Sequence, residues 1–139
     1  MILLDTNIVS EFMKTNPDTR VMDWLNARAK IDFHLCTPVI AEIRYGIAQL
    51  PDGKRKDNML GACERLEAET FAGRILPFDH RAAHCYAELR ATRRKTGKPM
   101  SVMDAMIAAI ALAHAMTLAT RNVRDFEGLG VPLVDPFSQ

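Results

Sequence analysis

Three apolar residues, Ile2, Leu3 and Leu4, run unbroken into Asp5, Thr6 and Asn7. An apolar run without polar alternation predicts a strand covered on both faces, as in a parallel sheet between helix layers. Further short strands are expected at Phe33 to Cys36, Ile75 to Phe78, Thr117 to Thr120 and Val131 to Val134. Between them, apolar residues recur at helical spacing. Such alternation predicts an α/β fold with a central, mainly parallel, roughly five-stranded sheet. The 139 residues suit a single domain, residues 1–139.

Local signals set the expected boundaries. Ile8 to Lys14 predicts a short helix. Asn16-Pro17 predicts a second helix start, with Asn16 as cap and the helix running to about Ala29. Thr37-Pro38 repeats that signal ahead of Val39, Ile40, Ile43 and Ile47, and Pro51-Asp52-Gly53 ends the segment as a turn. Lys54 to about Phe71 reads as one long helix. Pro77 implies that the third strand is short or lies at an edge. Asp79 caps a helix that Gly97 ends. Ser101 and Asp104 approximate a capping box for a helix to about Ala115 that is apolar nearly all round, so it belongs in the middle of the fold.

Composition narrows the function. A net charge of +1 gives no global pull toward nucleic acid or an anionic membrane, so RNA binding would need a local basic patch. Three cysteines, Cys36, Cys63 and Cys85, form no CxxC and read as reduced, buried, intracellular thiols. The longest apolar stretch, Met100 to Leu118, is broken by Asp104 and His114, so it reads as a core helix and not a membrane span. The N-terminus has no basic segment before its short apolar run, which argues against a signal peptide; the cytoplasm is the expected compartment.

The acids carry the chemistry. Asp5, Glu42, Asp104 and Asp125 all stand near strand ends or helix starts, and parallel βα units bring such positions to one sheet edge, where ligands bind. Each has a plainer explanation. Asp5 and Asp104 can cap helices, Glu42 can face solvent beside Arg44 or Arg28, and Asp125 can pair with Arg121 or Arg124. Four together at the ligand edge make a shared site the better account. Clustered carboxylates repel, and some would take up protons at neutral pH without a cation. Mg²⁺ or Mn²⁺ prefers oxygen ligands and keeps waters, leaving room for a phosphate; such a site serves phosphate-ester hydrolysis.

Other chemistries are weakly supported. GxSxG, GxxxxGK[ST] and GxGxxG are all absent. His80 and His84 stand four apart, but HRAAH lacks the glutamate of HExxH. Basic residues cluster at Lys54–Lys56 and from Arg90 through Arg93, Arg94 and Lys95 to Lys98, while Arg121 and Arg124 flank the proposed site. They form a solvated face or a phosphate-binding rim. The few aromatics show no pattern for stacking bases.

MILLDTN, TPVIAEIRYGI and SVMDAMIAAIALAHAMTLATRNVRDF, in that order, resemble the PIN domains, in particular the VapC and FitB-like toxins of bacterial toxin–antitoxin pairs. The resemblance spans the chain and implies a PIN-like α/β/α sandwich and a Mg²⁺- or Mn²⁺-dependent endoribonuclease, often acting on tRNA or other structured RNA. It also implies a homodimer, a cognate antitoxin that blocks the site, and assembly of the pair on operator DNA. By position, Asp5, Glu42 and Asp104 match the metal-binding acids, and Thr6, Asn7 and Thr120 match their polar neighbours. The chain departs at the fourth acid, where Asn122 stands in place of the aspartate of some members and Asp125 follows three residues later. Two rivals remain at this point: a non-catalytic nucleic-acid-binding or regulatory PIN-like module, and a phosphoryl-transfer protein using Asp5 as nucleophile. The latter lacks the usual DxD, because residue 7 is Asn.

Overall fold

In the computed structural model, which describes residues 1–139, five short strands form one sheet: β1 (Ile2–Leu4), β2 (Phe33–Cys36), β3 (Ile75–Leu76), β4 (Thr117–Ala119) and β5 (Leu133–Val134). Their order is β3-β2-β1-β4-β5, and every pairing is parallel. The sheet is therefore all-parallel rather than mainly so. β1 is central, and Leu3 and Leu4 are fully buried, as an apolar strand between two layers requires. β3 is an edge strand, which suits the proline that follows it.

Seven helices surround the sheet: α1 (Thr6–Glu11), α2 (Thr19–Asn26), α3 (Thr37–Ala48), α4 (Lys54–Arg65), α5 (His80–Lys95), α6 (Val102–Ala113) and α7 (Val123–Phe126). The most apolar, α6, buries Ala105, Ile107 through Ala111 and Ala113. Its alanines let α5 pack closely across it. Leu4, Ile8, Val39, Ile107, Ile110 and Leu118 join a core cluster of 28 buried residues.

Several boundaries differ from those expected. α1 starts at Thr6 because Asp5 is itself its cap, and it ends at Glu11, not Lys14. There the buried Glu11 carboxylate turns back to accept the Asp18 N–H at 2.8 Å. Asp18, not Asn16, caps α2, which stops at Asn26. Pro38 does lie in the first turn of α3, but Cys36 is the cap. The Thr37 hydroxyl instead accepts the Phe78 N–H at 3.2 Å. α4 passes into a π-helical turn, Leu66–Thr70, before Phe71. β3 and β5 are each two residues long, and α6 ends at Ala113. Cys36 and Cys63 are buried, but Cys85 is only half-buried; none is in a disulfide. No helix is long and apolar enough to cross a membrane.

One loop closure matters for the site. Gly97, at φ +73°, ends α5: its N–H donates to Arg94 O at 3.2 Å and the Lys98 N–H to Arg93 O at 3.0 Å. This pair of bonds is the left-handed C-cap that glycine favours. It aims residues 98–101 toward the start of α6, where Ser101 Oγ accepts the Asp104 N–H at 3.1 Å.

Candidate active site

The strand order reverses at β1: β2 and β3 lie to one side of it, β4 and β5 to the other. In an open parallel sheet such a reversal leaves a crevice beyond the strand C-termini, because the connecting helices diverge to opposite faces. Asp5 follows β1 and Thr120 follows β4, so both stand at that crevice. Both are buried.

Asp5 is tightly held. The Thr6 N–H donates to its Oδ1 at 2.8 Å, and the Thr120 hydroxyl donates to its Oδ2 at 2.7 Å. The Asn7 amide lies at 3.5 Å from the same Oδ2. Burial nevertheless dominates and pushes the Asp5 pKa up to about 6. The two hydrogen bonds from Thr120 and Thr6 pull it down, while the charges of Asp104 and Glu42 add to the rise. Two acids far from Asp5 in sequence therefore bear on its ionisation at the crevice.

Glu42 projects from the first half of α3, and the Thr6 hydroxyl donates to its Oε1 at 2.8 Å. The basic residues that might have claimed Glu42 are engaged elsewhere. Arg44 pairs with Glu67, and Arg28 lies over the Trp24 ring at 4.4 Å. A cleft of about 410 Å³ opens beside Thr6 and Glu42, between Ile43, Ile47, Arg55 and Met59.

Asp104 lies half-buried in the first turn of α6. Burial raises its pKa, the nearby Ser101 hydroxyl opposes this, and the charge of Asp125 adds to the rise. Asp104 and Asp125 line one cavity of about 280 Å³ with Arg93, Lys98 and Arg124. Asp125 forms no ion pair with Arg121, whose guanidinium lies 4.7 Å over the Phe137 ring.

The polar neighbours link the two strand ends. Asn7 Oδ1 accepts the Arg121 N–H at 3.2 Å, and the Thr120 hydroxyl accepts the Asn122 N–H at 3.0 Å. Asn122 is exposed and precedes α7, and its carbonyl accepts the Asp125 N–H at 3.0 Å. Residues 122 and 125 are thus the ends of one helical turn.

One of the proposed rim residues is placed otherwise. Arg93 is buried, and its guanidinium donates to the carbonyls of Asp125 at 2.9 Å, Glu127 at 2.8 Å and Lys98 at 3.4 Å. It fastens α5 to α7 and the residue that follows it, instead of facing solvent as a rim would. The sequence hides this role, because a basic helix C-terminus reads the same whether its arginine bonds carbonyls or water. Arg94 and Arg124 remain exposed. His80 and His84 face each other at 3.3 Å in a separate cavity with Cys85 and Leu112.

The carboxylates share a field without any three acid, histidine or cysteine side chains closing on one point. An all-oxygen set of this kind suits a hard cation held by one or two carboxylates plus waters and a substrate phosphate, which is how Mg²⁺ is usually bound. Asp5 and Asp104, with Glu42 beside Thr6, are the residues that could hold it.

A PIN-domain family profile matches residues 2–130. A protein named VapC ribonuclease Y4jK, of Sinorhizobium fredii, is 39% identical over 137 residues, covering 99% of this chain and 98% of its own. A protein named Toxin FitB, of Neisseria gonorrhoeae, is 39% identical over 137 residues, covering 99% of each. A solved structure of FitAB bound to an IR36 DNA fragment superposes with a TM-score of 0.91 at 40% identity, covering 99% of this chain and 96% of that one.

Proposed function

The chain belongs to the PIN-domain family and, within it, to the VapC and FitB-like group; from that premise we propose that it is a Mg²⁺- or Mn²⁺-dependent endoribonuclease, the toxin of a toxin–antitoxin pair. The observation that carries this reading is the Asp5 carboxylate, buried at the β1–β4 crevice and fixed there by the Thr6 N–H and the Thr120 hydroxyl; burial and the charges of Asp104 and Glu42 raise its pKa. A bare cluster of this kind is costly to ionise; a divalent cation removes that cost and has coordination positions left for a phosphodiester. When bound, the cation supplies charge neutralisation at the phosphate and a lower pKa for the attacking water.

The chain's own residues do the positioning. The Thr6 N–H and the Thr120 hydroxyl fix the rotation of Asp5, and the Thr6 hydroxyl fixes Glu42. Ser101 fixes the start of α6, and with it Asp104. Asp125, in the Asp104 cavity, supports the site from α7. Arg124 at the same cavity suits a phosphate next to the scissile one. The names of the relatives support an RNA substrate and, through FitAB on DNA, an antitoxin partner that joins the toxin in an operator-bound assembly. We take the unit to be a homodimer acting in the cytoplasm, with tRNA among its candidate substrates.

Purified protein, a pool of structured RNA and Mg²⁺ or Mn²⁺ test this directly, with sequencing of the new RNA ends. The expected result is metal-dependent cleavage that chelation stops and that Asp5→Asn or Asp104→Asn abolishes. Metal-independent binding without cleavage would favour the non-catalytic module. A folded Asp104→Asn protein cutting at the wild-type rate would overturn the site.

A further inference from the structure

We propose that the cleft between α5 and the Lys98–Met100 loop is a binding subsite for the single-stranded RNA that flanks the scissile phosphate. This rests on the endoribonuclease reading above and adds where the substrate runs. The cleft measures about 800 Å³ and is lined by Tyr86, Arg90, Arg94, Pro99 and Met100, with two alanines of α5 as its floor. Pro99 and Met100 also line the cavity that holds Asp104 and Asp125. The two cavities are therefore neighbours across one turn of chain, and a strand leaving the acidic site meets this cleft next.

Its chemistry matches an unpaired nucleotide segment. No acid lines it. Arg94 is exposed and forms no ion pair, so its charge is open to a phosphate. The Arg90 guanidinium donates to the Tyr86 hydroxyl at 2.9 Å and lies 5.7 Å from that ring's centroid. Phe78 supports the same ring edge-to-face at 5.7 Å. Tyr86 is thus a braced aromatic surface beside two cations, with proline and methionine completing an apolar wall. A duplex presents phosphates and keeps its bases inside, so it would leave that wall unused; unpaired bases can stack on it. The sequence offered no aromatic pattern because the cleft holds a single aromatic, Tyr86, and its opposite wall comes from a loop that the Gly97 turn brings back beside α5.

Asp5→Asn protein, which retains the cleft, is mixed with labelled oligouridine and with a matched RNA duplex, and anisotropy is read across a salt series. Replacing Arg90 and Arg94 together by Gln should reduce the slope of log affinity against log salt by about 1.4, the contribution of two single-strand phosphates. Tyr86→Leu should weaken oligouridine binding ~5- to 100-fold with the salt slope kept, because stacking is not ionic. Tyr86→Phe should restore most of that loss, which separates stacking from misfolding. In otherwise wild-type protein, the same changes should raise KM for cleavage by similar factors. Wild-type affinity and slope in the cleft variants, while the unaltered protein still cuts RNA, would overturn this subsite and leave the nuclease reading standing. Equal losses for duplex and single strand, or altered sedimentation in place of altered RNA binding, would also overturn it. Absence of any RNA binding or cleavage by the unaltered protein would instead bring down the nuclease reading beneath it.

Discussion

Replacing Asp5 by Asn should stabilise the metal-free protein at pH 7.5 while abolishing cleavage. In the fold the Asp5 pKa is raised from 3.8 to about 6, chiefly by burial. Its folded-state pKa thus lies above the unfolded one, so the native state holds the proton more tightly. The stability this group contributes is fully present below about pH 4 and is lost as pH rises through 6. At pH 7.5 the difference amounts to about 3 kcal/mol, at 1.36 kcal/mol per pKa unit. An asparagine removes the buried charge at almost constant volume. Its Oδ1 can still accept the Thr6 N–H, and its amide can donate to Thr120 once that hydroxyl turns away. The second amide proton and the reoriented hydroxyl return about 1–2 kcal/mol of that gain.

The expected net effect is about 1–2 kcal/mol of added stability at pH 7.5, or a melting temperature higher by about 3–7 °C for a chain of this size. Below about pH 5 the wild-type carboxyl is protonated, so the advantage should vanish or change sign. Millimolar Mn²⁺ should reverse the ranking at pH 7.5, since it binds the native wild type and relieves the same repulsion. Urea melts of both proteins in chelator at pH 4.5 and 7.5, and again with Mn²⁺ at the higher pH, check all three statements. An Asn variant less stable than wild type at both pH values, by the same amount, would refute the reasoning: Asp5 would then be a structural cap with no buried-charge penalty.

Thr120→Val should raise the Asp5 pKa further and lower the cleavage rate ~10- to 100-fold, the scale usual for residues that orient ligands; a shifted acid limb in the pH–rate profile checks it. Arg93→Met should cost about 3 kcal/mol, because it leaves the carbonyls of Asp125, Glu127 and Lys98 without their donor, yet leave the salt dependence of RNA binding unchanged; denaturant melts and salt titrations separate the two. Gly97→Ala should cost about 1–2 kcal/mol, because an L side chain is strained at φ +73°, and thermal melts read it. Asp125→Asn should weaken metal affinity or rate ~10- to 100-fold, whereas Asn122→Asp should keep or raise activity; Mn²⁺ titration of both variants would reverse the assignment if only Asn122 variants lost affinity.

The layers of this fold were readable because their signals are local. The unbroken apolar triplet of β1, Pro38 in a first turn, Asp79 and Ser101 as caps and Gly97 as a stop each act within a few residues. The helix α6, apolar but for Asp104, could only be central. What stayed hidden depends on residues far apart in sequence. Asn16 and Asp18 are both good caps, and Asp18 wins because the buried Glu11 carboxylate binds its N–H. Arg93 looks like its neighbours Arg94 and Lys95 until the loop after β4 folds back over it. The pairing of Thr6 with Glu42 joins positions 36 residues apart and has no local trace.

Capping and metal chemistry, set out as rival explanations of the acids, turn out to be compatible at Asp5. A residue that follows a parallel strand and precedes a helix meets the first N–H groups of that helix whatever else it does. Asp5 gives Oδ1 to the Thr6 N–H, and that bond holds its carboxyl in one rotation. Oδ2 takes the Thr120 hydroxyl from the neighbouring strand, which ties the same carboxyl to β4. Each oxygen of an ionised carboxylate has two acceptor positions, so these bonds leave capacity for a cation. At Asp104 the division is different: Ser101 caps α6, which leaves the Asp104 carboxylate for the cavity it shares with Asp125. At Glu42 no cap is involved, and the hydroxyl of Thr6 does the orienting. Thr6 therefore serves two acids at once, its N–H on Asp5 and its Oγ1 on Glu42, and couples the end of β1 to α3 at the crevice. A helix cap in this position is a means of presenting a carboxylate, and the cost of its buried charge is what a bound cation would remove.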